Sequence, residues 1–197
     1  MKIVKPIAAL LLLCMTTAVL SAQRIKLLEG NLSPLKSEKT IYTEFTFDNM
    51  KVGKYDKEAD YVRDKTAEYN KKEAGKGDKW AQSWVDDRTD RFKPKFNDLF
   101  TKEIGMSIDN HAKYTLIYKT TFTEPGYNIA ISRKNASTNA EVWIVETHNK
   151  DKVIAKLSVT RAEGRMAFGM DFDTGARLAE AYAIAGREVA EFIKKNW

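Results

Sequence analysis

The chain is poor in the residues that most often carry chemistry. It has one cysteine, Cys14, and two histidines, His111 and His148, among 197 residues. A single thiol excludes an internal disulfide framework and any multi-cysteine zinc site. The histidines sit in or near turn-like sequence, with no HExxH or His-x-His spacing, and read as surface side chains. Ser83, Ser107, Ser132 and Ser158 lie in no GxSxG context. Gly164 and Gly169 are spaced like the start of a phosphate loop, but Met170 and Asp171 follow where Lys and Ser/Thr are needed. No catalytic residue, metal ligand or cofactor site is predicted.

Apolar runs are scarce as well, with one exception. Lys2 and Lys5 precede IAALLLLCMTTAVL, Ile7 to Leu20, and Ser21-Ala22 supplies small residues before Gln23. Charged start, apolar middle and small-residue boundary are the layout of a secretory signal peptide. The run is 14 residues long, short of the roughly 20 that a membrane-spanning helix needs. We expect residues 1–22 to be a signal peptide, 23–197 a single domain, and no integral membrane segment after cleavage. Cys14 is preceded by Leu13 rather than a small residue, and the run continues past it, which argues against a lipid anchor at Cys14. The mature chain would then lack cysteine and depend on its core for stability; about 175 residues suffice for that. Localisation is expected to be periplasmic or envelope-associated.

No block of one charge is present either. Cleavage would remove Lys2 and Lys5 and lower the formal net charge from +6 to +4. The signs alternate closely in KYDKEADYVRDK and VDDRTDRFKPK, which makes a self-neutralising solvated surface rather than a nucleic-acid stripe. No nucleic-acid partner is expected.

What is present is a succession of strand and helix patterns. IKLL within Arg24–Lys39 suggests an entry strand or arm followed by a loop. Thr40–Asp48 alternates, with Ile41, Thr43, Phe45 and Phe47 on one face. Asp56–Lys72 repeats Ala59, Val62, Thr66 and Tyr69 at helical spacing and ends at EAGKGD. The GKGDKW loop offers Lys76 and Lys79 to an anion or, more simply, to solvent. Asp78 can cap a second helix carrying Trp80, Trp84, Arg88, Phe92, Phe96, Leu99 and Phe100, with a kink or break at Pro94. That aromatic stripe reads as core. Strands are expected at Lys113–Phe122, after a Pro125-Gly126 turn at Tyr127–Ser132, and as a hairpin of Glu141–Thr147 and Lys152–Thr160 around HNKD. RKNASTN reads as a loop. The last helix, Thr174 to Lys195, carries Leu178, Tyr182, Ala185, Val189 and Phe192. Beside them runs a stripe of Ala179, Ala183, Gly186 and Ala190, expected to lie on the sheet. The order predicts an α+β two-layer domain: a mostly antiparallel or mixed sheet of about five strands, packed by helices, with a long C-terminal helix.

One motif needs a decision. In GMDFDTG, Asp171 and Asp173 are spaced as in the DxDxT of haloacid-dehalogenase phosphatases, or as a metal-binding DxD. Only 26 residues follow Asp171, too few for the later strands of such a phosphatase. Two carboxylates alone hold hard cations poorly. Asp173 precedes the final helix, where aspartate is a favoured N-cap, with Phe172 as the apolar residue before it and Gly169 easing entry. We read Asp173 as a cap.

KVGKYDKEADYV, EYNKKEAGKGDKWAQSWVDDR, TEPGYNIAI and GMDFDTGARLAEAYAIAGREVAEFIKK resemble a family of exported, uncharacterised proteins of Bacteroidetes, over nearly the whole mature chain. More distantly, the element order is similar to envelope lipoproteins akin to the TolB amino-terminal domain and the curli secretion lipoprotein. The resemblance supplies no catalytic residues. The expected function is therefore binding, to another envelope protein or as a homodimer, with Tyr114, Tyr118, Tyr127 and Trp143 as candidate interface residues on the sheet. The alternative for these four is that all are core. The alternative function is a small ligand-binding protein or hydrolase with its site near Asp171, Asp173 and the Trp80/Trp84 stripe.

Overall fold

The computed structural model describes residues 24–129, 131–165 and 173–197. The expected signal peptide, Cys14, Gly169, Asp171 and Phe172 lie outside them. Among the described residues the architecture is α+β: a mixed sheet of seven strands with helices on one side and a long C-terminal helix.

The strands are β1 (Ile25–Gly30), β2 (Thr40–Thr46), β3 (Lys51–Val52), β4 (Ser107–Ile108), β5 (Tyr114–Glu124), β8 (Ser137–Glu146) and β9 (Asn149–Glu163), in the spatial order β1-β9-β8-β5-β2-β4. Two further short strands, β6 (Tyr127–Ile129) and β7 (Ser132–Lys134), form a separate antiparallel ribbon. β1, β9, β8 and β5 are successively antiparallel, while β2 and β3 lie end to end parallel to β5 on its other side. A parallel pair needs a long crossover. Here it is filled by α1 (Glu58–Lys72), α2 (Lys76–Asp87) and α3 (Lys93–Ile104).

The helical run is interrupted just before Pro94, in keeping with the kink or break expected there, but it does not begin at Asp78. α2 starts from Gly75, which holds the left-handed conformation (φ 77°), and Asp78 falls in its first turn. α2 passes into α3 through a π-helical turn, Arg88–Phe92, in which the Lys93 N–H reaches the Arg88 carbonyl five residues back. Pro94 then sits in the first turn of α3, where its missing N–H costs nothing.

Other boundaries move too. The four-residue HNKD loop is a two-residue turn at Thr147-His148, so β8 and β9 are longer than their alternating segments. Part of the expected RKNASTN loop is strand. Tyr127–Ser132 is no single strand, because the chain doubles back into β7. Near the far end of β9, Arg161 takes φ 52° and its N–H donates to Asn139 Oδ1 at 2.7 Å, at an irregularity in the β8–β9 register.

Helix α4 (Thr174–Asn196) packs between the sheet and α3. The Tyr182 hydroxyl meets Thr120 Oγ1 at 2.8 Å, and its ring stacks on Phe92 at 4.8 Å. The small-residue stripe does not lie on the sheet as expected. Gly186 at its middle abuts the Phe96 backbone carbonyl, so close that a Cβ would overlap it. The stripe receives α3 because Gly186, lacking a side chain, leaves room for another backbone. Two ties, Lys95–Glu180 and Lys194–Glu103, show α3 and α4 running the same way.

Candidate binding surfaces

Asp173 caps α4 as its position predicts. Its Oδ1 accepts from the Ala176 N–H at 3.1 Å and from Arg91 Nη1 at 2.8 Å. Arg91 also reaches Asp87 through Nε at 2.9 Å. Asp87 is buried against Gly175, whose missing Cβ leaves the space its carboxylate fills. Burial pushes the Asp87 carboxyl above the usual carboxylate range; Arg91 opposes this, and Asp173, Asp90 and Asp86 add to it. This is a helix start anchored to α2 by charge. Among the described residues, no three His, Cys, Asp or Glu side chains are grouped to hold a metal ion.

Trp80 and Trp84 are core side chains, with rings 5.7 Å apart, between Tyr61 and Tyr69. The half-buried carboxylate of Glu58 accepts from Trp84 Nε1 and pairs with Arg88, whose guanidinium covers the Phe47 ring at 4.4 Å. Two clefts of about 290 and 300 Å³ open on either side of Tyr69 and Thr174. The first lies among Tyr55, Tyr61, Lys54, Lys65 and Tyr127. The second lies among Trp80, Lys79, Asp87, Arg91 and Asp173. Both volumes fall at the lower limit for a small-molecule site.

The four candidate interface aromatics do not form one surface. Tyr114 and Tyr118 are core, at 5% and 0% exposure. Tyr118 packs on Phe96 and Tyr182, and its hydroxyl meets Thr138 Oγ1 at 3.0 Å. The reason is alternation: with Leu116 they occupy the helix-covered face of β5. Trp143, registered opposite Ile117, points to the other face. Tyr127 stands apart, on the β6–β7 ribbon.

On the face away from the helices, one row crosses five strands: Glu29, Lys156, Trp143, Ile117 and Glu44. The half-buried Trp143 ring lies between two ammonium groups, Lys119 Nζ at 3.2 Å and Lys156 Nζ at 4.6 Å from its centroid. Lys156 also pairs with Glu29 at 2.8 Å, and Lys150 spans to Glu44 at 2.7 Å. At the rim of the sheet, β1 pairs with β9 on one side only among the described residues. Its Leu27 and Leu28 are 43% and 56% exposed, and Leu28 is the extra residue where the β1–β9 register shifts. Sequence reading missed this edge, although IKLL carried the signal: two adjacent leucines in an extended segment cannot both face one core.

No protein-family model and no curated protein sequence matches this chain. Two solved structures resemble it over most of its length. The PelC dodecamer from Paraburkholderia phytofirmans is 10% identical, with 81% of this chain and 94% of that chain covered and a TM-score of 0.34. A single-residue variant of the same PelC, also a dodecamer, is 9% identical, with coverages of 81% and 96% and a TM-score of 0.34. Among the described residues no helix is long and apolar enough to cross a membrane.

Proposed function

We propose that this protein is exported to the cell envelope and acts without catalysis, by binding another envelope protein or a second copy of itself. The observation that carries the reading is the β1 edge. It places Leu27 and Leu28 in solvent on the rim of a large sheet, where a partner strand could add. The opposite rim differs: β4 pairs with Thr40 and Ile41 of β2, and the rest of β2 carries buried or half-buried side chains rather than exposed leucines. Beside β1 the uncovered face offers Trp143, an amphipathic anchor of the type interfaces favour.

The test is local crosslinking in native envelopes. A photoreactive residue replacing Leu28 should capture one partner, or a second copy, while one replacing Asp64 on α1 should not. Leu27→Glu with Trp143→Ala should abolish capture. Capture that persists unchanged in that variant rejects the edge as the binding surface. The export half is read from intact mass in the native host: a chain starting near Gln23 is expected, and one starting at a diacylglyceryl-Cys14 would replace the soluble form with an anchored one.

A further inference from the structure

The β6–β7 ribbon raises a separate question. Among the described residues seven large apolar side chains are conspicuously exposed, and three of them, Tyr127, Ile129 and Ile131, belong to this one short hairpin. Ile131 is 102% exposed and Ile129 58%. Turn and tip positions ordinarily carry small polar residues, so isoleucines there are kept against the cost of hydrating them.

The base of the ribbon is firmly held. Gly126 (φ 64°) lies so near the Lys134 carbonyl and the Ala136 N–H that no side chain fits. Its own N–H donates to Glu124 Oε1 at 3.2 Å, while Lys134 pairs with the other oxygen of Glu124 at 2.7 Å. The Arg177 guanidinium, buried under the turn, donates to the Pro125 carbonyl at 3.2 Å. A two-stranded ribbon is marginal alone; this one is presented by the domain.

Around the tip the surface is charged and aromatic rather than apolar, with cations in excess among the residues lining the cleft, although Lys65 pairs with Glu68 on the outer side of α1. Arg133 and Lys134 follow the tip on β7, and Lys54 and Lys65 line the cleft beneath it with Tyr127 and Ile129. Among the described residues lining that cleft the one carboxylate is Glu124, already paired with Lys134. A protein interface core is depleted in lysine. An apolar tip, an aromatic at its base and a basic collar instead match the layers of a bilayer surface: acyl boundary, interface and anionic headgroups.

We propose that the β6–β7 hairpin docks the protein on an anionic phospholipid surface, with Ile129 and Ile131 entering the acyl boundary and the basic collar meeting headgroup phosphates. This surface is distinct from the β1 edge, so either proposal can fail without the other.

The test uses the chain from Gln23 onward, because the buried core lies within Ile25 to Ile193 and Cys14 is then absent. Ser132→Cys, exposed beside the tip, carries an environment-sensitive fluorophore. With phosphatidylglycerol vesicles its emission should shift to the blue and the protein should cosediment; with phosphatidylcholine vesicles, or in high salt, both should weaken. Ile129→Ser with Ile131→Ser should lower vesicle affinity about tenfold or more while leaving circular dichroism unchanged. Absence of cosedimentation, or cosedimentation without an emission shift, overturns the proposal. So does a shift that appears without vesicles and grows with protein concentration, which would assign the tip to a second copy of the chain.

Discussion

On β5, Leu116 and Ile117 are adjacent residues that point to opposite faces of the sheet, and both are withdrawn from solvent, at 0% and 8% exposure. They are covered in different ways. Leu116 lies in the core beneath α3 and α4, a region of stacked and edge-on rings from Phe45, Phe92, Phe96, Tyr118 and Tyr182. Ile117 lies in the row of Trp143 and the long lysine stems, with no helix above it among the described residues. Side-chain stems can exclude water from apolar surface much as a helix does, but they can also swing aside. Equal burial on the two faces therefore does not mean equal rigidity.

The largest effects should come from the two members of that pair. Leu116→Ala removes packing that interlocked rings cannot recover, and should cost about 4 kcal/mol. Ile117→Ala should cost about 2 kcal/mol, because Trp143 and the lysine stems can settle into the space. Denaturant unfolding of both variants measures the difference. Equal losses would mean that the uncovered face is as tightly packed as the covered one.

The sequence showed one of these faces more clearly than the other. The 3.6-residue period of Thr174–Lys195 and the alternation of Thr40–Asp48 mark the last helix and β2, because the large apolar side chains recur at one period while polar ones between them, such as Glu44 in β2 and Glu180 and Arg187 in α4, are only half-buried. Asp173 was readable as a cap because a cap is local. β5 was harder: in YTLIYK both sets of alternating residues are buried, so nothing in the pattern marks Tyr114 and Tyr118 as core and Trp143's face as open. The small-residue stripe on α4 showed that something comes close, but not that α3 rather than the sheet does so. The β6–β7 hairpin was missed because the turn between Ile129 and Ser132 has no glycine, proline or asparagine to announce it.

The covered side should also be intolerant of added volume. Gly186→Ala would gain about 1 kcal/mol of helix propensity. It would also set a methyl into the Phe96 carbonyl, and overpacking of that kind costs about 1–3 kcal/mol. The obstacle is backbone, so α3 must move as a whole, and we expect a net loss of about 1 kcal/mol. Net stabilisation on thermal unfolding would show that α3 can retreat freely. At the entrance to the same helix, Asp173→Ala should cost about 1 kcal/mol, the usual worth of a cap. The partly exposed Arg91 pairing should add little to that. Asp173→Asn, which can still cap but cannot pair as a charge, should recover most of the loss.

The smallest effect is a slope, and it sets a buried carboxylate against an exposed one. Asp87, against α4, has its carboxyl raised mainly by burial. Glu68, on the outer side of α1, has its carboxyl lowered by hydrogen bonds from Lys65 and Lys72. In the pH window between its unfolded and folded values, Asp87 binds more protons in the folded protein, so its contribution to stability falls as pH rises. Glu68 binds fewer protons when folded; its contribution is present above the unfolded value and is lost as pH falls through the folded one. Asp87→Asn should therefore make the acid-range dependence of stability on pH more positive, and Glu68→Gln should make it more negative. Unfolding free energies measured from the acid range to neutrality would decide. If both variants move the slope in the same direction, the Asp87 carboxyl is solvated in the folded protein, and α4 does not close over α2 as tightly as Gly175 and Arg91 indicate.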